Sequence, residues 1–182
     1  FLAEAIVTGK LDHPNIVRIH DAGRVEGMPY FTMDLVEGES LDDMLEGDGI
    51  PRDLALRGIA QTARAMHHAH ERGILHRDIK PSNVVQAGGR GPVLIDFGLA
   101  KAHLDPGQSR LTKSGAFAGT PGYAPPEQIT NAAKVDERAD VYSLGATLYA
   151  LLSGAGPFSE ASNMAELLAR AAAGSQPPVR QR

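Results

Sequence analysis

The sequence predicts an α+β fold, with short strands gathered toward the front and helices making up most of the rest. Three observations carry that expectation. Asp53 to about Arg72 repeats apolar residues at helical spacing, and so does a second stretch after Asp136. Two β-rich runs, Ile16-Val17-Arg18-Ile19 and Pro29 to Val36, have turn chemistry at Glu26-Gly27 between them. Asn83-Val84-Val85 and Pro92 to Ile95 flank Gly88-Gly89-Arg90-Gly91, the pattern of a small hairpin.

In chain order, Phe1 to Lys10 has helical spacing, with Leu2, Ala5, Ile6 and Gly9 on one side, and Asp12-His13-Pro14-Asn15 breaks it. After the strand-like runs, Glu37-Gly38-Glu39-Ser40 reads as a turn whose Ser40 hydroxyl can cap a short helix from Leu41 to Leu45. In the long helix, Leu56, Ile59, Ala60, Ala63 and Met66 form the expected apolar stripe, and Gly73 ends it. Leu99 to Pro126 has no sustained period, and irregular chain of that length inside a domain is usually functional or disordered. Asp136 caps the next helix, with a stripe of Val141, Leu144, Leu148, Leu151 and Leu152 closed by Gly154. An alanine-rich helix, Met164 to Ala173, comes last, before Pro177-Pro178.

The 182 residues suffice for one large domain or a compact pair of lobes. Against 22 Asp and Glu stand 18 Lys and Arg, a net charge of −4 without runs of one sign, which argues against a polybasic nucleic-acid or membrane-surface binder. Cysteine is absent, which removes disulfides and thiol nucleophiles and suits a reducing compartment. The richest apolar segment, Val141 to Leu152, falls short of the roughly 18 residues a membrane span needs. The chain opens at Phe1 with neither an initiator Met nor a signal-like segment, and is expected to be a piece of something longer.

Three clusters carry chemistry. In His76-Arg77-Asp78-Ile79-Lys80-Pro81-Ser82-Asn83, the residues Asp78, Lys80 and Asn83 are close enough to project from one loop into one cleft. Phosphoryl transfer needs such a set: a carboxylate for a hydroxyl proton, a cation on the moving group, and a neutral oxygen for magnesium. Asp96-Phe97-Gly98 follows the strand Val93-Leu94-Ile95, where a carboxylate can hold a hard cation and Gly98 allows a sharp turn. Alone it is a plain strand-ending turn; its position after Asn83 and a hairpin gives it meaning. Gly119-Thr120-Pro121-Gly122-Tyr123-Ala124-Pro125-Pro126-Glu127 closes the irregular stretch, and Asp140 follows at the start of the next helix. The histidines His67, His68 and His70 invite a metal reading, but only His67 and His70 share a helix face and no third ligand is evident.

Together these residues resemble the catalytic loop, magnesium loop, activation segment and central helix of a eukaryotic-type protein kinase, in the flavour of bacterial Ser/Thr kinases, from Phe1 to about Phe158. The resemblance implies a mostly helical C-terminal lobe over 37–182, incomplete at its end, and a partial β-containing N-terminal lobe over 1–36. It implies ATP and Mg2+ as cofactors and a protein substrate with a Ser or Thr acceptor. Asp78 would be the catalytic base, Lys80 would touch the transferred phosphate, and Asn83 and Asp96 would hold magnesium. Thr120 matches the threonine that bonds base and lysine. Met33 would stand at the adenine pocket's gate, with the Asp34 carbonyl and Val36 N–H pairing with adenine and Val85 beneath the ring. Glu4 matches the glutamate that pairs with the ATP-orienting lysine. Arg77 would clamp a phosphate on Thr112 or Ser114, added within a pair of kinase copies. Asp140 would accept backbone N–H bonds of the catalytic loop, and Glu127 would have a structural partner further along.

Departures from the pattern are also visible. The Gly-rich phosphate loop and the strand lysine would precede Phe1, so the 182-residue piece is expected to be inactive alone. Pro125 stands where the family usually has alanine and lacks an N–H. A cytoplasmic location is expected, with any membrane anchor outside this segment. The competing reading is a pseudokinase-type module that binds nucleotide or a partner without chemistry.

Overall fold

The computed structural model describes residues 2–97, 121–130, 135–175 and 178–179, and the expected α+β fold is what it shows. At the front, helix α1 (Leu2–Thr8) leads to strands β1 (Ile19–Val25) and β2 (Met28–Met33), an antiparallel pair. Glu26 and Gly27 join the strands at φ 51 and φ 82, and a two-residue turn with both φ positive matches the twist of a hairpin. The first strand therefore begins where the run Ile16 to Ile19 was expected to end. Ile16 instead bridges Leu94 in parallel, and Val17 N–H donates to the Leu94 carbonyl at 3.0 Å. The reason is burial: Ile16 and Val17 are swallowed by the core, while residues 20–25 lie at or near the surface.

The second sheet has the order β3 (Glu39–Ser40), β4 (Val84–Gln86) and β5 (Pro92–Leu94), all antiparallel. Ser40 also caps α2 (Leu41–Glu46): its hydroxyl accepts the Asp43 N–H at 3.1 Å while the Asp43 carboxylate takes the Ser40 N–H at 3.2 Å. Gly38 sits at φ 153 against β4, where a Cβ would lie 2.2 Å from the Gln86 carbonyl oxygen, so only glycine allows this close approach.

Helices α3 (Arg52–His70) and α5 (Glu137–Ser153) pack on each other, and their core takes in Ile59, Met66, Ile79, Val84, Leu94, Leu144 and Leu151. The buried face of α3 is the predicted one only in part, with Ile59 and Met66 buried as expected. Leu56, Ala60 and Ala63 face solvent, and Ala55, Gly58, Ile59, Thr62, Ala65, Met66 and Ala69 are buried. Small residues admit a close neighbour, so proximity rather than side-chain bulk defines this face. Thr62 is buried because its hydroxyl donates to the Gly58 carbonyl at 2.9 Å. Val141 on α5 is likewise exposed, and Asp140 beside it is buried. Short α4 (Pro126–Thr130) packs on α6 (Met164–Ala173) through Ala124, Ile129, Phe158 and Ala171.

Candidate active site

The loop between α3 and β4 is shaped by a buried carboxylate. Asp140, at the start of α5, accepts the His76 N–H at 2.9 Å and the Arg77 N–H at 2.7 Å. Nε2 of His70, at the end of α3, donates to the same carboxylate at 2.9 Å. Burial alone would raise the Asp140 pKa, but the His70 bond, the nearby His76 and the two backbone donors outweigh it and hold the group below 3.8. The acid thus stays ionised where it is fully buried.

His76 is the second brace, completely buried. Its Nδ1 accepts the Asp78 N–H at 3.2 Å, which puts the ring proton on Nε2, and Nε2 donates to the Ile95 carbonyl at 2.9 Å. The ring also lies 4.7 Å from that of Phe97. The Ile95 N–H meets the Asn83 carbonyl at 2.9 Å. One imidazole and one backbone bond therefore fix where Asp96 stands relative to Asp78 and Asn83.

Asp78, Lys80 and Asn83 come together. Lys80 Nζ is 3.6 Å from Asp78 Oδ2. Asn83 Nδ2 donates to the Asp78 carbonyl at 2.8 Å and approaches Oδ2 at 3.4 Å, which leaves the amide oxygen as the end able to accept a cation. Asp96 is exposed just past β5, with a strained φ of 56. An amide oxygen and a carboxylate are hard donors and suit magnesium. Val85 is buried on β4; Met33 is partly exposed at the end of β2. Asp34 bonds His20 Nε2 at 2.7 Å, and its N–H meets the Arg18 carbonyl at 2.9 Å. Val36 follows, half-buried.

Gly122 and Tyr123 press against residues 156–157: a Cβ on Gly122 would lie 2.9 Å from the Pro157 carbonyl oxygen. Burial, with Asp42 nearby, pushes the Tyr123 phenol up to about 12. Pro125 does not disturb this segment, since it stands just before α4, where no N–H is needed, and its carbonyl receives the Gln128 N–H at 3.0 Å. Glu127 lies in the first turn of α4. Thr112, Ser114 and Thr120, with Gly98, lie outside the described residues, as does the side chain of Glu4.

Residues 1–176 match the family model described as the protein kinase domain. The chain belongs to the protein kinase family. It is 41% identical over 169 residues to the serine/threonine-protein kinase PknJ of Mycobacterium tuberculosis, covering 91% of this chain and 28% of that protein. To PknB of Mycobacterium leprae it is 38% identical over 163 residues, covering 87% and 26%. The chain thus spans little more than a quarter of the length of these curated kinases. Among solved structures, the PknI kinase domain of Mycobacterium tuberculosis superposes with a TM-score of 0.70 at 32% identity, over 90% of this chain and 59% of that one. Rad53 in complex with AMP-PNP gives 0.76 at 29% identity, over 96% and 43%.

Within this kinase frame, sequence reading missed two contributors. The structure engages all three helix histidines otherwise than as a metal set: His67 faces Glu71 at 3.7 Å, His68 lies 5.3 Å from His13, and His70 serves Asp140. No group of three or more His, Cys, Asp or Glu among the described residues could hold a metal ion. Gln128 was missed altogether, because its partner, the Arg77 carbonyl at 3.1 Å, is 51 residues away and nothing local announces the bond. Among the described residues no helix is long and apolar enough to cross a membrane.

Proposed function

We propose that this chain carries the phosphotransfer machinery of a protein Ser/Thr kinase, moving the ATP γ-phosphate to a protein hydroxyl. The observation that carries the proposal is the convergence of Asp78, Lys80 and Asn83, with Asp96 tied to them through Ile95. Asp78 accepts the proton of the attacking hydroxyl as the oxygen–phosphorus bond forms and ADP leaves. Lys80 stabilises charge on the transferred group from beside that carboxylate. Asn83 and Asp96 would hold Mg2+, which supplies charge neutralisation on the phosphate oxygens when bound. The Asp34 carbonyl and Val36 N–H would take the adenine edge, with Val85 beneath it. The division at residues 36 and 37 belongs to the same proposal, as do phosphorylation at Thr112 or Ser114 and its clamping by Arg77.

The test is Mg2+-dependent transfer from radiolabelled ATP to casein by the full-length protein, followed by phosphoamino-acid analysis. Label on Ser or Thr is expected, and Asp78→Asn is expected to reduce it about 10³-fold while nucleotide still binds. Transfer that survives Asp78→Asn, or nucleotide binding with no transfer by the unsubstituted protein, sinks the proposal. The latter outcome would make the chain a kinase-like binding module.

A further inference from the structure

Arg77 immediately precedes Asp78 and sits at φ 65, a left-handed conformation that is uncommon and costly for a residue with a Cβ. Both of its backbone polar groups are held by side chains from distant elements. Its N–H donates to Asp140 Oδ1 at 2.7 Å, and its carbonyl accepts from Gln128 Nε2 at 3.1 Å. The first of these ties comes from the central helix α5. The second comes from α4.

Gln128 is only 2% exposed, and its Oε1 is buried without a hydrogen-bond partner among the described residues. Among the described residues its amide is therefore anchored through Nε2 at Arg77 alone. Burying a polar amide with half its capacity unmet is unfavourable, and an apolar side chain of similar length would fill the space without that cost. The single bond to the Arg77 carbonyl is what a glutamine adds here.

We propose that Gln128 is a positioning residue of the catalytic loop: its amide holds Arg77 in the left-handed conformation and so aims the Asp78 carboxylate. Its kinetic consequence rests on the kinase reading above; its structural consequence does not. The bond also links α4 to the residue that immediately precedes Asp78, so a displacement of α4 is passed through Arg77 to the base.

The test combines Gln128→Met, which keeps length and apolar volume but removes the donor, with Arg77→Ala and Arg77→Gly. Both Arg77 changes remove the guanidinium, but only glycine accepts φ 65 without strain. In Mg2+-dependent transfer from ATP to casein, Gln128→Met is expected to lower kcat about tenfold with the KM for ATP unchanged. The same loss is expected in the Arg77→Ala background, and less than about twofold in the Arg77→Gly background, where φ 65 carries no strain for the bond to offset. Equal losses in the two backgrounds, or no loss in either, would overturn the proposal. Gln128→Leu replaces Gln128→Met if the latter does not fold. Urea unfolding of the same set separates this idea from the kinase reading. If the unsubstituted protein transfers no phosphate, the kinase reading fails. Gln128 then stands if the urea midpoint falls with Gln128→Met in the Arg77→Ala background but not in the Arg77→Gly one, and falls otherwise.

Discussion

The front hairpin and the catalytic loop hold non-glycine residues at positive φ by opposite means. In the hairpin, Glu26 at φ 51 is a turn position at the surface, and its strands are mostly exposed. A small cluster of Ala5, Ile19, Ala22 and Phe31 holds it to α1, and the bond from Asp34 N–H to the Arg18 carbonyl adds a rung at its open end. In the catalytic loop, Arg77 at φ 65 is clamped by Asp140 and Gln128, and its neighbour His76 is braced to Ile95. Local chemistry is enough to write a turn. A loop that must present a carboxylate at a fixed place is built from buried polar ties between distant parts of the chain.

The largest expected effect comes from removing the deepest of those ties. Asp140→Ala strands the His76 and Arg77 N–H groups and His70, and should cost about 3–5 kcal/mol in urea unfolding, the scale for breaking a buried charged network. A cost near that of a surface substitution would erase the contrast between the two regions. Gly38→Ala comes next. With φ at 153 and the added Cβ 2.2 Å from the Gln86 oxygen, β3 must part from β4, at about 2–3 kcal/mol by the same measurement.

Acid should act on the fold in two stages. Burial, then the neighbouring His68, hold the His13 pKa below 6.5, so the folded state favours the neutral ring. That contribution is fully present above 6.5 and is lost as pH falls below it. Asp140, held below 3.8, contributes above that value and is lost only as pH drops through its lower folded pKa. Urea midpoints should therefore decline between pH 7.5 and 5.5, and His13→Gln should flatten that decline; an unchanged slope in the variant would assign it elsewhere. Smallest of all, Glu26→Asn should stabilise the hairpin by a few tenths of a kcal/mol, because Asn accepts positive φ more readily in such turns. A thermal shift of unchanged sign and size in the Asp140→Ala background would show the two regions to be independent.

The same contrast explains what could be read from the chain. The Glu26-Gly27 turn, the Ser40 cap, the Gly154 end of α5 and the hairpin around Gly88 to Gly91 are local, and all stand where the residues put them. The convergence of Asp78, Lys80 and Asn83 was legible because they share one short loop. The stripe on α3 was right at Ile59 and Met66 and wrong at Leu56, which looks like core, because the buried face is completed by small residues such as Ala65 and Ala69. Ile16 to Ile19 looked like a strand because β-branched residues are equally suited to a buried bridge beside β5. Gln128 was invisible, since its role exists only once α4 and the catalytic loop are brought together.

Hydrogen exchange of the nucleotide-free protein tests the central claim most directly. If the loop is built in advance by its buried ties, the His76 and Arg77 amides should be as protected as those of α3, while the amides around Glu26 and Gly27 exchange far faster. If instead the His76 and Arg77 amides exchange as fast as the hairpin turn, and slow only when Mg2+ and ATP are added, the loop is ordered by its ligand and the account is wrong.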